Sequence, residues 1–141
     1  MKIAVVDGQG GGIGKHITQE IRRAFADTVE IIALGTNYAA TTVMLKAGAN
    51  EGATGENAIV QNVVEADIIT GSVAILSANS MLGELTPSMA AAIGSSRAKK
   101  LLLPLNRAGI TVMGVKDEPL PHQIENLVKH LKNIKEASDN V

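Results

Sequence analysis

The stretch KIAVVDGQGGGIGK, residues 2–15, decides the fold of this chain. Its apolar part, residues 3–6, has the composition of a strand that is buried on both faces of a sheet. Five glycines follow within residues 8–14. Apolar side chains then recur at helical spacing, at Ile13, Ile17, Ile21 and Ala24. The stretch therefore predicts a strand, a glycine-rich loop and a helix in direct succession.

Strand-like and helix-like segments alternate along the rest of the chain. Further strands are predicted at residues 30–34, 67–70, 101–105 and 110–115, with a short one within 49–55. Further helices are predicted at residues 38–47, 58–64, 87–94 and around 124–134. Because such alternation implies right-handed crossovers between parallel strands, we expect a three-layer, Rossmann-like α/β fold with a mostly parallel sheet.

The connection between the last two predicted strands departs from this pattern. Residues 106–109 alone separate them, which is too short for a helical crossover. The strand at residues 110–115 is therefore expected either to return antiparallel at the edge of the sheet or to be wrongly assigned.

Composition limits the classes of protein to which the chain can belong. Its 141 residues, 45% of them hydrophobic, suffice for one domain spanning residues 1–141. A formal net charge of −1 provides no basic surplus for nucleic acid, and no apolar run approaches the ~18 residues of a membrane-spanning helix. Cysteine is absent, which excludes disulfides, thiolate metal sites and cysteine nucleophiles. We expect a cytoplasmic protein that binds neither nucleic acid nor membranes.

The glycine loop has the features of a phosphate-binding site. Glycines allow the backbone to approach a phosphate closely, and the helix that follows presents free amides and the positive end of its dipole. The expected contacts come from Gly8, Gln9, Gly10, Gly11, Gly12, Ile13, Gly14 and Lys15. The competing interpretation is a purely structural turn, in which glycine serves positive backbone angles and close helix packing.

Other predicted contacts lie where the remaining strands end, because the carboxyl ends of parallel strands face one ligand crevice. Polar residues that the sequence places at this edge are Thr36, Asn37, Glu56, Asn57, Asn79 and Asn106. The segment around Asn79 is long enough to form a flap over a ligand. Its apolar Met81 and Leu82 are expected to line a pocket or to contact a second subunit.

The spacing Gly8-x-x-x-Gly12-Ile13-Gly14 resembles the glycine signature of the short-chain dehydrogenases. The resemblance ends after the first third of the chain, because Tyr38 is followed by Thr42 where that family's catalytic Tyr-x-x-x-Lys pair has lysine. No acidic residue follows at the spacing that would bind a ribose 2′-hydroxyl, and the stretch GTN at residues 35–37 resembles the Gly-Thr turn of some NADP-binding proteins. The resemblance implies a dinucleotide, NADP or NAD, with a slight preference for NADP.

Two side chains beside the loop have alternative interpretations. The pair Gly14-Lys15 ends like a Walker A motif, but Gly8 lies one residue too far upstream and His16 replaces the Ser or Thr that holds magnesium. Nucleotide hydrolysis is therefore disfavoured. Asp7 is expected to hydrogen-bond the backbone of the loop rather than to bind a metal ion, and the three histidines have no metal-binding spacing.

Four segments together resemble a small family of uncharacterised bacterial proteins. They are DGQGGGIG at residues 7–14, GATGEN at 52–57, NSMLGE-x-TP at 79–87 and PLN at 104–106. The resemblance covers nearly the whole chain, and it implies a Rossmann-like domain of unknown function.

These observations predict a protein that binds a small-molecule nucleotide through its glycine loop. A dinucleotide-binding unit alone needs about this many residues, so an active site would need the long loops, a second subunit of a homo-oligomer or another protein. Three hypotheses stay open: an oxidoreductase completed by dimerisation, a non-catalytic nucleotide sensor, and a protein-interaction module with a structural glycine loop.

Overall fold

The computed structural model describes residues 1–105 and 108–140. Its strands are β1 (Lys2–Asp7), β2 (Glu30–Gly35), β3 (Glu51–Thr54), β4 (Ile68–Ser72) and β5 (Lys99–Leu103). Its α-helices are α1 (Gly12–Phe25), α2 (Tyr38–Lys46), α3 (Glu56–Asn62), α4 (Pro87–Ser95) and α5 (Leu120–Asp139). A short 3-10 helix, Val73–Leu76, follows β4 directly. None of the helices in this described part has the length and apolar character that crossing a membrane requires.

The described strands form one parallel sheet in the order β3-β2-β1-β4-β5. Strands β2 and β3 extend the sheet in one direction from β1, and β4 and β5 extend it in the other. The carboxyl ends of β1 and β4 therefore flank the point at which the strand order reverses, where α/β sheets bind their ligands. The sheet and its two helical layers confirm the predicted three-layer, Rossmann-like α/β fold.

Alternate side chains of the central strand β1 face the two helical layers. Ile3 and Val5 pack with α1, α2 and α5, whereas Ala4 and Val6 pack with α3 and α4. Buried residues that close the first face include Ile17, Ile21, Met44, Ile124, Leu127 and Leu131. Those that close the second face include Ile59, Val63, Ile75, Leu85, Met89 and Ile93. Aliphatic side chains thus supply almost all of the core, as the near absence of aromatic residues requires.

The structure confirms a strand and a helix that only a few residues of sequence indicate. The strand Glu51–Thr54 lies within the predicted segment 49–55 and pairs in parallel with β2. Helix α4 begins at Pro87, and Oγ1 of Thr86 accepts a hydrogen bond from the amide of Met89 at 3.2 Å. A side-chain cap followed by proline therefore defines this helix start, as expected.

The predicted strand at residues 110–115 is wrong. This segment is not part of the sheet, and its Val112, Met113 and Val115 are 39%, 85% and 50% exposed. An antiparallel strand beside β5 would carry the chain to the amino edge of the sheet, about 20 Å away for six residues. Helix α5, however, begins at the carboxyl edge, where Leu120 lies beside the glycine loop. The chain from Val115 to Leu120 reaches at most about 17 Å. That is shorter than the distance from the amino edge of the sheet back to its carboxyl edge, so an antiparallel strand here would leave the chain unable to reach the start of α5.

Ile21→Ala is expected to lower the free energy of unfolding by about 2–5 kcal/mol, because it removes a completely buried side chain between α1 and the sheet. Val64→Ala, at a side chain that is 69% exposed, is the matched control and should change it by less than about 0.5 kcal/mol. Urea unfolding of the two variants measures both effects. Equal losses in the two variants would contradict the packing described for α1.

Candidate functional site

Asp7, the last residue of β1, organises the glycine loop. The residue is 7% exposed. Its carboxylate accepts hydrogen bonds from the amide of Gly8 to Oδ1 at 2.8 Å and from the amide of Gly14 to Oδ2 at 2.6 Å. The negative charge lies at the amino end of α1, where the helix dipole stabilises an anion. Asp7 therefore bonds the backbone of the loop, as the sequence analysis predicts.

The remaining amides of the loop fall into two groups. The amide of Gln9 donates to Oε1 of Glu84 at 2.8 Å, and the amide of Gly11 donates to the carbonyl oxygen of Gly8 at 2.9 Å. Three amides donate to no atom of the described residues, and they belong to Gly10, Gly12 and Ile13. Protein oxygens thus already accept from the amides of Gly8, Gln9, Gly11 and Gly14.

The glycines of the loop divide in the same way. Gly8, Gly11 and Gly14 are buried, and a Cβ atom on any of them would lie within 3.0 Å of a neighbouring residue. Gly11 also has a left-handed φ of 73°. Gly10 and Gly12 are exposed, have no left-handed φ, and would have open space around a Cβ atom. Packing within the chain thus requires glycine at positions 8, 11 and 14, but not at positions 10 and 12.

A cavity of about 640 Å³ lies between the glycine loop and the carboxyl end of β4. Asp7 and every loop residue from Gly8 to Ile13 line it on one side. The other lining residues are Ser72, Ala74, Ser80, Met81, Leu82, Ala108 and Leu120. The cavity therefore lies at the predicted crevice, with the unoccupied amides and the two unhindered glycines in its wall.

The flap, defined here as residues 77–85, covers one side of this cavity. Met81 and Leu82 have left-handed φ angles of 58° and 57°, and both residues line the cavity, as the sequence predicts for a pocket. Leu82 is 96% exposed at its rim. The hydroxyl of Ser80 donates to the carbonyl oxygen of Ala74 at 2.7 Å, which ties the flap to the 3-10 helix that follows β4.

Glu84 connects the flap to the glycine loop and to the end of β2. Its Oε1 accepts from the Gln9 amide, from Oγ1 of Thr36 at 2.7 Å and from Nδ2 of Asn37 at 2.8 Å. These hydrogen bonds lower the pKa of the Glu84 carboxyl below its ordinary value, the bond from Gln9 contributing most. The carboxylate is therefore ionised at neutral pH.

Thr36 and Asn37 lie beside the loop, but the protein already uses their polar groups. Asn37 is the N-cap of α2, because its Oδ1 accepts from the amide of Ala40 at 2.8 Å. Its Nδ2 donates both to Glu84 and to the carbonyl oxygen of Gln9, the latter at 2.9 Å. These two residues are therefore held next to the predicted phosphate site, without lining the cavity itself.

The other predicted contacts lie apart from the cavity lining. Glu56 and Asn57 are exposed in the first turn of α3, where Oε1 of Glu56 accepts from Oγ1 of Thr86 at 2.5 Å. Asn79 is exposed on the flap and has a left-handed φ of 67°. Lys15 is exposed on α1. Asn106 lies outside the described residues.

Sequence reasoning missed the contribution of Glu84, whereas Ser72 and Ser80 belong to the strand end and the flap that it places at the crevice. Ser72 ends β4 and lines the cavity, and its Oγ accepts from the amide of Ala74 at 3.2 Å. The ends of parallel strands were a usable signal for Ser72. Nothing local to the flap indicates that Glu84 contacts residues 9, 36 and 37, because that contact depends on the tertiary fold.

The fold and the cavity together define a Rossmann-like α/β domain with a glycine-loop crevice at the reversal of strand order. A family model described as "Domain of unknown function (DUF3842)" matches residues 2–136, and the chain therefore belongs to that family. This match confirms the resemblance to an uncharacterised family that the four sequence segments carry.

Comparison with other proteins adds one similar solved structure. It is described as "Crystal structure of universal stress protein in complex with cAMP" and is 21% identical to this chain. The similarity covers 70% of this chain and 94% of that chain, with a TM-score of 0.39. No curated protein sequence matches the chain.

Gly14→Ala is expected to destabilise the protein by about 1–3 kcal/mol, because the added methyl group would lie too close to the side chains that pack against Gly14. Its Cβ would lie 2.9 Å from Cβ of Asp7 and 2.5 Å from Sδ of Met44. Gly12→Ala is the matched control, with open space around the same methyl group, and should leave stability unchanged or raise it by up to about 1 kcal/mol. Thermal unfolding distinguishes the two, and the reverse order would contradict the division of the glycines.

Glu84 is expected to make the free energy of unfolding depend on pH in the acid range. Its pKa is lower in the folded chain than its ordinary value of 4.5, so its contribution is complete above that pH and is lost as the pH falls through the folded pKa. Urea unfolding between about pH 6 and pH 3 should therefore show a smaller acid-induced loss in Glu84→Gln than in the original protein. Identical pH profiles would show that the Glu84 hydrogen bonds do not favour the ionised form.

Proposed function

We propose that the protein binds a nucleotide in the cavity beside the glycine loop, with a phosphate group at the amides of Gly10, Gly12 and Ile13. The observation that carries this proposal is that these three amides lack protein acceptors in the described chain and that their residues line the cavity. Unpaired amides at the amino end of a helix, with its positive dipole, match the charge and hydrogen-bonding needs of a phosphate.

The two unhindered glycines support the same proposal. Glycine loses more conformational entropy on folding than alanine does. Where alanine fits the folded chain without strain, glycine therefore brings no benefit to the stability of the ligand-free protein. Gly10 and Gly12 are such positions. A ligand that lies against the backbone supplies the missing reason, since any Cβ there would project into the space that the ligand occupies.

Asp7 does not oppose this placement. Its two carboxylate oxygens accept from the amides of Gly8 and Gly14, and its charge lies at the positive end of α1. Hydrogen bonds to the ionised form and the helix dipole compensate much of that charge. Repulsion of a phosphate by Asp7 is therefore weaker than its nearness to the loop suggests.

A dinucleotide such as NADP or NAD is the more specific ligand that we propose. A pyrophosphate on the three amides would extend one half of the molecule over the cavity lined by Ser72, Ser80 and Met81. The other half would extend across the loop towards the end of β2, near Thr36 and Asn37. This arrangement straddles the reversal of strand order, as dinucleotides do in Rossmann domains.

The cavity wall favours binding over catalysis by this chain alone. Among the described lining residues Asp7 is the one with a titratable side chain, and the loop amides already engage both of its oxygens. General acid–base chemistry needs a group that can exchange a proton with the substrate. An oxidoreductase would therefore need a second subunit, for which exposed Leu82 at the rim offers a contact, whereas a nucleotide sensor needs nothing further.

Calorimetric titrations with NAD, NADP, ATP and S-adenosylmethionine test the proposal, with Gly12→Val as the diagnostic variant. We expect a dinucleotide to bind, and Gly12→Val to weaken that binding by about tenfold or more, equivalent to about 1.4 kcal/mol. The melting temperature of the ligand-free variant should stay close to that of the original protein, because the side chain enters open space.

Gly94→Val, in the last turn of α4 and far from the loop, is the matched control and should keep the original affinity. Binding of none of these compounds would contradict the proposal and leave the glycine loop with a structural role. Equal binding by the original protein and Gly12→Val would place the nucleotide elsewhere.

A further inference from the structure

The carboxylate of Glu84 lies at the carboxyl end of β2, next to the glycine loop, although it comes from the flap. Its Oε1 accepts three hydrogen bonds, from the Gln9 amide, Thr36 Oγ1 and Asn37 Nδ2, at 2.7–2.8 Å. Its Oε2 accepts none from the described residues, and no described cation forms an ion pair with it. One oxygen thus fixes the side chain, whereas the other, on a half-buried residue, has no donor among the described residues.

This placement supplies an acidic group that the sequence at the end of β2 lacks. In Rossmann domains an acidic residue about 20 positions beyond the loop accepts a hydrogen bond from the ribose 2′-hydroxyl of NAD. The residues that end β2 here are Gly35 and then Thr36 and Asn37, which carry no charge. Glu84 brings a carboxylate to the same edge of the sheet from a different part of the chain.

We propose that Glu84 determines which nucleotide this site accepts, by binding a free ribose 2′-hydroxyl and repelling a 2′-phosphate. The preferred dinucleotide is then NAD rather than NADP, which reverses the preference drawn from the Gly-Thr turn. This inference rests on the proposed binding of a dinucleotide at the glycine loop.

The electrostatic reason is direct. A 2′-phosphate carries negative charge, and at close range an uncompensated carboxylate disfavours it by like-charge repulsion. The NADP-binding sites of this type place an arginine there instead. The Thr36 hydroxyl and the Asn37 amide are neutral and, of the two carboxylate oxygens, donate to Oε1 alone, so no described positive charge faces the second oxygen of Glu84.

Glu84→Gln isolates the charge from the architecture. The glutamine carbonyl oxygen can accept the same three hydrogen bonds that Oε1 accepts, so the flap keeps its attachment to the loop and to β2. The variant therefore removes the negative charge with little change in shape. Glu65→Gln is the matched control, since Glu65 is an exposed glutamate near the amino edge of the sheet.

The experiment is a pair of titrations, with NAD and with NADP, on the original protein and on both variants. The original protein should bind NAD about tenfold more tightly than NADP or better. In Glu84→Gln the ratio should fall to about threefold or less, mainly through tighter binding of NADP, whereas Glu65→Gln should keep the original ratio. Raising the salt concentration should lower the preference of the original protein for NAD, because salt screens the repulsion between Glu84 and the 2′-phosphate.

The outcomes separate this inference from the proposed function. Binding of both dinucleotides with equal affinity, a preference for NADP, or a ratio that Glu84→Gln leaves unchanged would overturn the role of Glu84 while keeping the dinucleotide site. Binding of neither would overturn the proposed function itself. If Glu84→Gln does not fold, the NAD-to-NADP ratio of the original protein and its salt dependence decide the matter.

Discussion

The buried carboxylate of Asp7 is the interaction on which the glycine loop depends. It joins the end of β1 to the first turn of α1, because it accepts from the amides of both Gly8 and Gly14. A buried carboxyl group needs such donors, because burying a polar group without hydrogen bonds is costly. The same contact explains why residue 14 is glycine, since a Cβ there would lie 2.9 Å from Cβ of Asp7. The protein thus places its own acidic side chain at the helix terminus, while the amides of Gly10, Gly12 and Ile13 have no acceptor among the described residues.

Glu84 joins the flap to the glycine loop and to the end of β2. One of its oxygens binds Gln9, Thr36 and Asn37. On the side of the loop towards β4 lies the cavity of about 640 Å³, a size typical of small-molecule sites. The same flap that carries Glu84 supplies Met81 and Leu82 to the cavity lining.

The sequence predicts the strands and helices well wherever a local pattern determines them. The run at residues 3–6, the helical spacing of Ile17 and Ile21, and the Thr86-Pro87 helix start are all local signals, and all are confirmed. The segment 110–115 has the composition of a strand, but the need to reach the start of α5 overrides its propensity. The division of the loop amides could not be predicted, because a residue 75 positions away accepts from one of them. Spacing along the chain does not encode such a contact.

Backbone amide hydrogen exchange, resolved by NMR with and without NAD, tests the division of the loop amides most directly. Without ligand, the amides of Gly8 and Gly14 should be protected by Asp7, whereas those of Gly10, Gly12 and Ile13 should exchange rapidly. Saturation with NAD should slow exchange at these three amides and leave Gly8 and Gly14 as they were. Protection of the three amides in the ligand-free protein, or rapid exchange that saturating NAD does not change, would contradict the account.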